Sequence, residues 1–196
     1  MEADWEVELD GESPVIDVQW RDFIDLREAS HRARLLPEAL LLPALGEVLV
    51  RLNTPPSTVW TAKCDVWPVD TADSGVFDPD ELDAPFDSAT RALACYIDLL
   101  PSGDHQFESL ESAVKWCRTV CRLLHSSLLR CCRADLIIRH TFHAREDRVG
   151  LGVTAYFTAC GSGAAAAASA LAHALSVAAD GILAAGPPAE ATAKFR

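Results

Sequence analysis

The sequence predicts an α+β fold, a two-layer sandwich whose mostly antiparallel sheet of about six strands carries three helices on one face, in the order ββα-ββα-ββα. Short segments of period-two alternation come in pairs, and a longer apolar segment of helical period follows each pair. The second strands of the pairs read alike: Asp22-Phe23-Ile24-Asp25-Leu26, Cys95-Tyr96-Ile97-Asp98-Leu99-Leu100 and Ala155-Tyr156-Phe157-Thr158-Ala159-Cys160. A chain of 196 residues with 49% hydrophobic content can also bury a core that needs no disulfide or metal.

In the first unit Glu2, Asp4, Glu6 and Glu8 alternate with Ala3, Trp5, Val7 and Leu9, the pattern of a half-buried strand with an acidic face. Asp10-Gly11 predicts a hairpin turn, after which Val15 to Leu26 resumes alternation with Ile16, Val18, Trp20, Ile24 and Leu26 on one side. Pro37 and Pro43 punctuate the apolar segment that ends near Leu52, so a helix starts or kinks at one of them. The second unit has strands from Thr58 to Trp67 and Leu93 to Leu100, then an amphipathic helix from Phe107 to Leu129. In the third, strands from Ala134 to Phe142 and Val149 to Thr158 flank turn residues Arg145 to Arg148, and Ser162 to Leu183 forms the last helix. Residues 1–185 are expected to form one domain, with the acidic loop 69–88 inserted between strands and 186–196 a flexible tail.

Strand parity assigns the faces. Trp60, Cys64, Val66, Leu93, Cys95, Ile97, Leu136, Ile138, Leu151, Val153 and Phe157 fit the covered face. The opposite face receives Asp4, Glu6, Glu8, Asp17, Gln19, Arg21, Lys63, Asp65, Tyr96, Asp98, Asp135, Arg139, Thr154 and Tyr156. It is polar, of mixed sign and partly aromatic.

The formal charge of -12 is local. Residues 1–12 and 69–88 hold 13 of the 29 acids and no base, which leaves 16 acids against 17 Lys and Arg elsewhere. Such a chain repels nucleic acid and anionic membrane, and it steers a basic protein partner toward itself. The loop is longer than a strand connection requires, and Phe77, Leu82 and Phe86 stand among its charges as apolar anchors. Seven cysteines, odd in number and set in apolar patterns, read as reduced core thiols of a cytoplasmic protein.

Motifs that carry chemistry are sparse. Cys117, Cys121 and His125 sit at i, i+4 and i+8, but the two cysteines fall within the stripe of Leu110, Val114, Leu124 and Leu128, the place of core residues. Gly161-Ser162-Gly163 joins a strand to a helix with neither phosphate-loop spacing, so an N-cap at Ser162 is expected. Asp78-Pro79-Asp80-Glu81-Leu82-Asp83 lacks the calcium-loop order and its glycine. Cys95-Tyr96-Ile97-Asp98-Leu99-Leu100-Pro101 resembles the catalytic strand of archaeo-eukaryotic primases, whose Asp-x-Asp would imply a metal pair; Leu100 stands at the second aspartate. No metal or cofactor is expected.

Two functions follow as expectations. One is a non-catalytic protein-binding module with an inhibitor or immunity-like role, presenting Asp4, Glu6, Glu8, Asp78, Asp80, Glu81 and Asp83 to a basic partner. The other is an enzyme or small-ligand binder using Lys63, Asp65, Asp98, Asp135, Arg139 and Tyr156 on the open face. The alanine-rich last helix, apolar over most of its circumference, is either central to the domain or the seam of a homodimer.

Overall fold

The computed structural model describes residues 1–12, 14–18, 23–71, 77–85, 89–102, 107–143 and 147–187. In chain order the elements are β1 (Glu2–Glu8), β2 (Ile16–Asp17), α1 (Pro37–Leu41), α2 (Pro43–Leu52), β3 (Val59–Val69), β4 (Arg91–Pro101), α3 (Leu110–His125), β5 (Cys132–His143), β6 (Arg148–Gly161) and α4 (Ala164–Ala185). Short 3-10 turns at Ser30–Leu35 and Asp80–Leu82 complete them. The fold is α+β. Its six-stranded sheet has the order β1-β5-β6-β4-β3, with β2 also on β5, and every pairing except those of β1 and β2 is antiparallel.

Local chemistry accounts for the helices. Pro37 and Pro43 each occupy the start of a helix, where a missing N-H costs nothing, and so divide the expected helix into α1 and α2. Ser109 and Ser112 cap α3 reciprocally. Asn53, closing α2, donates to Thr61 Oγ1 at 2.7 Å and accepts from Thr61 N at 3.1 Å, tying α2 to β3.

Helix α4 lies against β6 and β4 and contacts both α2 and α3. By length and composition it is long and apolar enough to cross a membrane, yet Ala167, Leu171, Ala174, Leu175, Ala178, Ala179 and Ile182 are buried in the main core with Leu124, Leu136, Ile138, Val153 and Phe157. Its neighbours within the chain bury part of its apolar circumference. Ser169, His173, Ser176 and Asp180 form the exposed line. The first helical residue is Ala164 and the cap is Gly163, not Ser162.

Two expectations are corrected. The first unit is not a hairpin: β1 and β2 both run parallel to β5, in series along one edge. A turn at Asp10-Gly11 would have set Ile16 and Val18 on the Ala3 and Trp5 side of the sheet, away from the acids of β1. They instead bury with Trp60, Ala62 and Leu100, so apolar burial overrides the turn signal. Among the described residues of the alternating segment Val15 to Leu26, only Ile16–Asp17 is strand. The three units are therefore not equivalent.

The second correction concerns Trp60. Between Thr61 and Cys64 the register slips, three steps on β3 facing two on β4, which is a β-bulge. Parity before the bulge is inverted, so Trp60 pairs with Leu100 on the face opposite the main core. Gln19, Trp20, Arg21, Asp73, Phe86, Asp87, Arg145 and the tail beyond Pro187 lie outside the described residues.

Candidate functional site

Pairing registers set the polar side chains in rows across the open face. One row runs Asp65, Tyr96, Tyr156, Asp135 and Asp4; the next runs Asp98, Thr154, Ile137 and Glu6; Arg139 pairs with Glu8 in the third. Both ends of this face are covered. Ile16, Val18 and Phe23 pack on Trp60 and Leu100 at one end, and Phe77, Leu82, Ala84 and Ala89 pack on Ala92 and Cys160 at the other. Among the described residues, what stays open is a strip at mid-strand.

That strip contains a cavity of about 250 Å³ lined by Pro14, Val15, Ile16, Lys63, Tyr96, Asp98, Arg139, Thr154 and Tyr156. The sequence-based candidates Lys63, Asp98, Arg139 and Tyr156 meet there. Asp65 and Asp135 do not. Three strand spacings separate those two, about 14 Å, with both tyrosines between them. Asp65 is exposed, and Asp135 is held by Arg133 at 2.8 Å. The three aspartates thus do not converge on one ion. Leu100, where the primase pattern has its second aspartate, is buried with Trp60 and Ile16.

Two ionisable groups of the cavity are buried, Asp98 at 5% exposure and Arg139 at 8%. The Arg139 guanidinium donates to Glu8 at 2.8 and 3.0 Å, to Tyr156 Oη at 3.2 Å and to Thr154 Oγ1 at 3.5 Å. The Thr154 hydroxyl in turn donates to Asp98 Oδ1 at 2.6 Å. Asp98 and Arg139 are thereby joined through one hydroxyl. Burial pushes the Asp98 carboxyl up, against the pull of the Thr154 hydrogen bond and the charges of Lys63 and Arg139. Tyr96 is pushed up to about 12, first by burial and then by Asp98 and Asp65.

The cavity's aromatic wall continues outward. Tyr96 and Tyr156 are tilted with centroids 5.8 Å apart, Trp67 stands 6.1 Å from Tyr96, and the Arg139 guanidinium is 5.6 Å from the Tyr156 ring. Gly152 makes room for the apolar wall, since a Cβ there would stand 3.0 Å from Ile16 Cδ1 and 2.6 Å from Thr141 Cγ2. Strand parity had marked Tyr96 and Thr154 as open-face residues. Pro14, Val15 and Ile16 carried no such signal, because their place over the sheet depends on β2 joining β5.

The acids expected to face a partner divide into three groups. Glu8 is taken up by Arg139. Asp83 holds Arg130 at 2.7 Å, and Glu81 lies 3.7 Å from Arg133. Asp4, Glu6, Asp78 and Asp80 are exposed, Asp4 accepting from the Trp5 N-H and Asp78 from the Asp80 N-H. Phe77 and Leu82, expected as anchors for a partner, are buried against this chain's own sheet.

The thiols sit in the core. All seven cysteines are free; Cys117 and Cys121 are buried, and burial pushes Cys121 up to about 12. Comparison with protein-family models, with curated proteins and with solved structures found no match.

Proposed function

We propose that this chain is a non-catalytic binding module that holds a small polar ligand in the cavity on the open face of its sheet, opposite helices α2, α3 and α4. One observation carries the reading: Asp98 and Arg139, both buried, line the same cavity and are linked through Thr154. Burying charge costs free energy, and a fold that does so at the wall of a concave site with aromatic neighbours gains most where a ligand uses those groups. The reading is of binding because the charged groups are paired and held still, Arg139 by Glu8 and Asp98 by Thr154. The free thiols suit a reducing compartment such as the cytoplasm.

Val15, 51% exposed at the cavity, provides a fold-neutral test. Saturation-transfer NMR with a library of small polar compounds should show binders to the wild type that Val15→Trp no longer binds. Binders indifferent to Val15→Trp, or no binder at all, would overturn the reading.

A second reading keeps the acidic surface as the site for a basic protein partner. The two acidic stretches, distant in sequence, meet in space: Arg133 feels Asp135, Glu81 and Asp4 together. Asp4 and Glu6 lie on β1, the last strand of the sheet on that side, where an approaching basic segment would meet them first.

A further inference from the structure

The cavity's charges restrict what it can hold. Among the described residues, Lys63 and Arg139 stand against Asp98 and the Glu8 carboxylate on Arg139, so groups of both signs face the site before any ligand enters. A ligand of net charge would leave one charge uncompensated in a partly desolvated place, whereas a ligand carrying both signs would not. Asp98 is also under-used as an acceptor. Among the described residues it accepts one hydrogen bond, from Thr154 to Oδ1, although a carboxylate has room for about four. A group that donates several hydrogen bonds, and a cation above all, fits beside it.

The remaining lining fixes the rest of the ligand. Arg139 and Lys63 bring positive charge to an anionic group at a short distance from Asp98, since a single hydroxyl spans Asp98 and Arg139 with contacts of 2.6 and 3.5 Å. Tyr96 and Tyr156, their rings 5.8 Å apart, add aromatic surface to the lining, and Pro14, Val15 and Ile16 add apolar carbon. A volume of about 250 Å³ falls just below the usual range for drug-sized ligands, about 300–1,000 Å³.

We infer that the cavity binds a free α-amino acid or a zwitterion of that size, with its ammonium on Asp98, its carboxylate toward Lys63 and Arg139, and its side chain between the tyrosines and Val15. This rests on the reading of the cavity as a ligand site and specifies its chemistry. Neither charged end of such a ligand goes unpaired on burial, and its two charges lie as close together as those of the site.

The test is calorimetric titration of the full chain with each of the twenty common amino acids, then with the des-amino and des-carboxy analogues of the best binder. At least one amino acid should bind, each analogue at least tenfold more weakly, and both Asp98→Asn and Val15→Trp should reduce binding at least tenfold. Circular dichroism on each variant verifies the fold, and Val15→Trp, at an exposed position, keeps the test decisive if Asp98→Asn fails to fold. An analogue that binds as well as its parent overturns the inference. Binding of uncharged compounds that Val15→Trp abolishes, with no amino acid bound, overturns the zwitterion and leaves the cavity reading standing; no Val15→Trp-sensitive binding of any compound overturns both.

Discussion

Asp98 has consequences for stability as well as for binding. Burial raises its pKa above the ordinary 3.8, with Thr154, Lys63 and Arg139 offsetting part of the shift. Above that ordinary value the folded protein still holds a proton that the unfolded chain has released. Unfolding then releases a proton, so stability falls as pH rises through the window between the unfolded and the folded pKa. Asp98→Asn still accepts the Thr154 hydrogen bond but carries no titrating proton. Chemical denaturation of both proteins from pH 4 to pH 7 should show the wild type losing stability relative to the variant as pH rises. A constant difference would mean that Lys63 and Arg139 fully compensate the burial.

At the scale of elements, the join between β6 and α4 is tightly packed. A Cβ on Gly161 would lie 2.5 Å from the Ala167 nitrogen and 2.7 Å from the Ala166 carbonyl carbon, both backbone atoms that cannot rotate away. Gly161→Ala should therefore shift the first turn of α4 and cost about 1–3 kcal/mol in urea unfolding; an unchanged midpoint would show that the turn is not seated as described. Such contacts are invisible in sequence, whereas the elements themselves were largely legible. Alternation located β1, β3, β4, β5 and β6 to within a few residues, because half-burial imposes period two on each strand. The same parity placed Lys63, Asp98, Arg139 and Tyr156 on one face. It failed for Trp60 because a bulge leaves no fixed mark in residue type, and for β2 because its pairing is decided by Leu100 and Trp60, distant in sequence. The separation of Asp65 from Asp135 likewise depends on strand order, and strand order is a property of pairing rather than of any single strand.

For the whole molecule the question is what the uneven charge does. A net charge of -12 on 196 residues repels itself, and the repulsion is greatest where acids gather without bases among them. The fold brings the two acidic stretches together and answers part of their charge, with Arg139 on Glu8, Arg130 on Asp83 and Arg133 between Asp135 and Glu81. Asp4, Glu6, Asp78 and Asp80 remain exposed at its margin. If these four only solvate the protein, neutralising them is harmless; if they also meet a basic partner, neutralisation trades binding for stability. The combined variant Asp4→Asn, Glu6→Gln, Asp78→Asn and Asp80→Asn should melt at a higher temperature than the wild type in low salt, and the gain should shrink as salt screens the repulsion that the wild type still carries. The same variant should lose the salt-sensitive capture of basic proteins that the second functional reading requires. A higher melting temperature with capture unchanged would assign the acids to solubility alone and overturn the second reading.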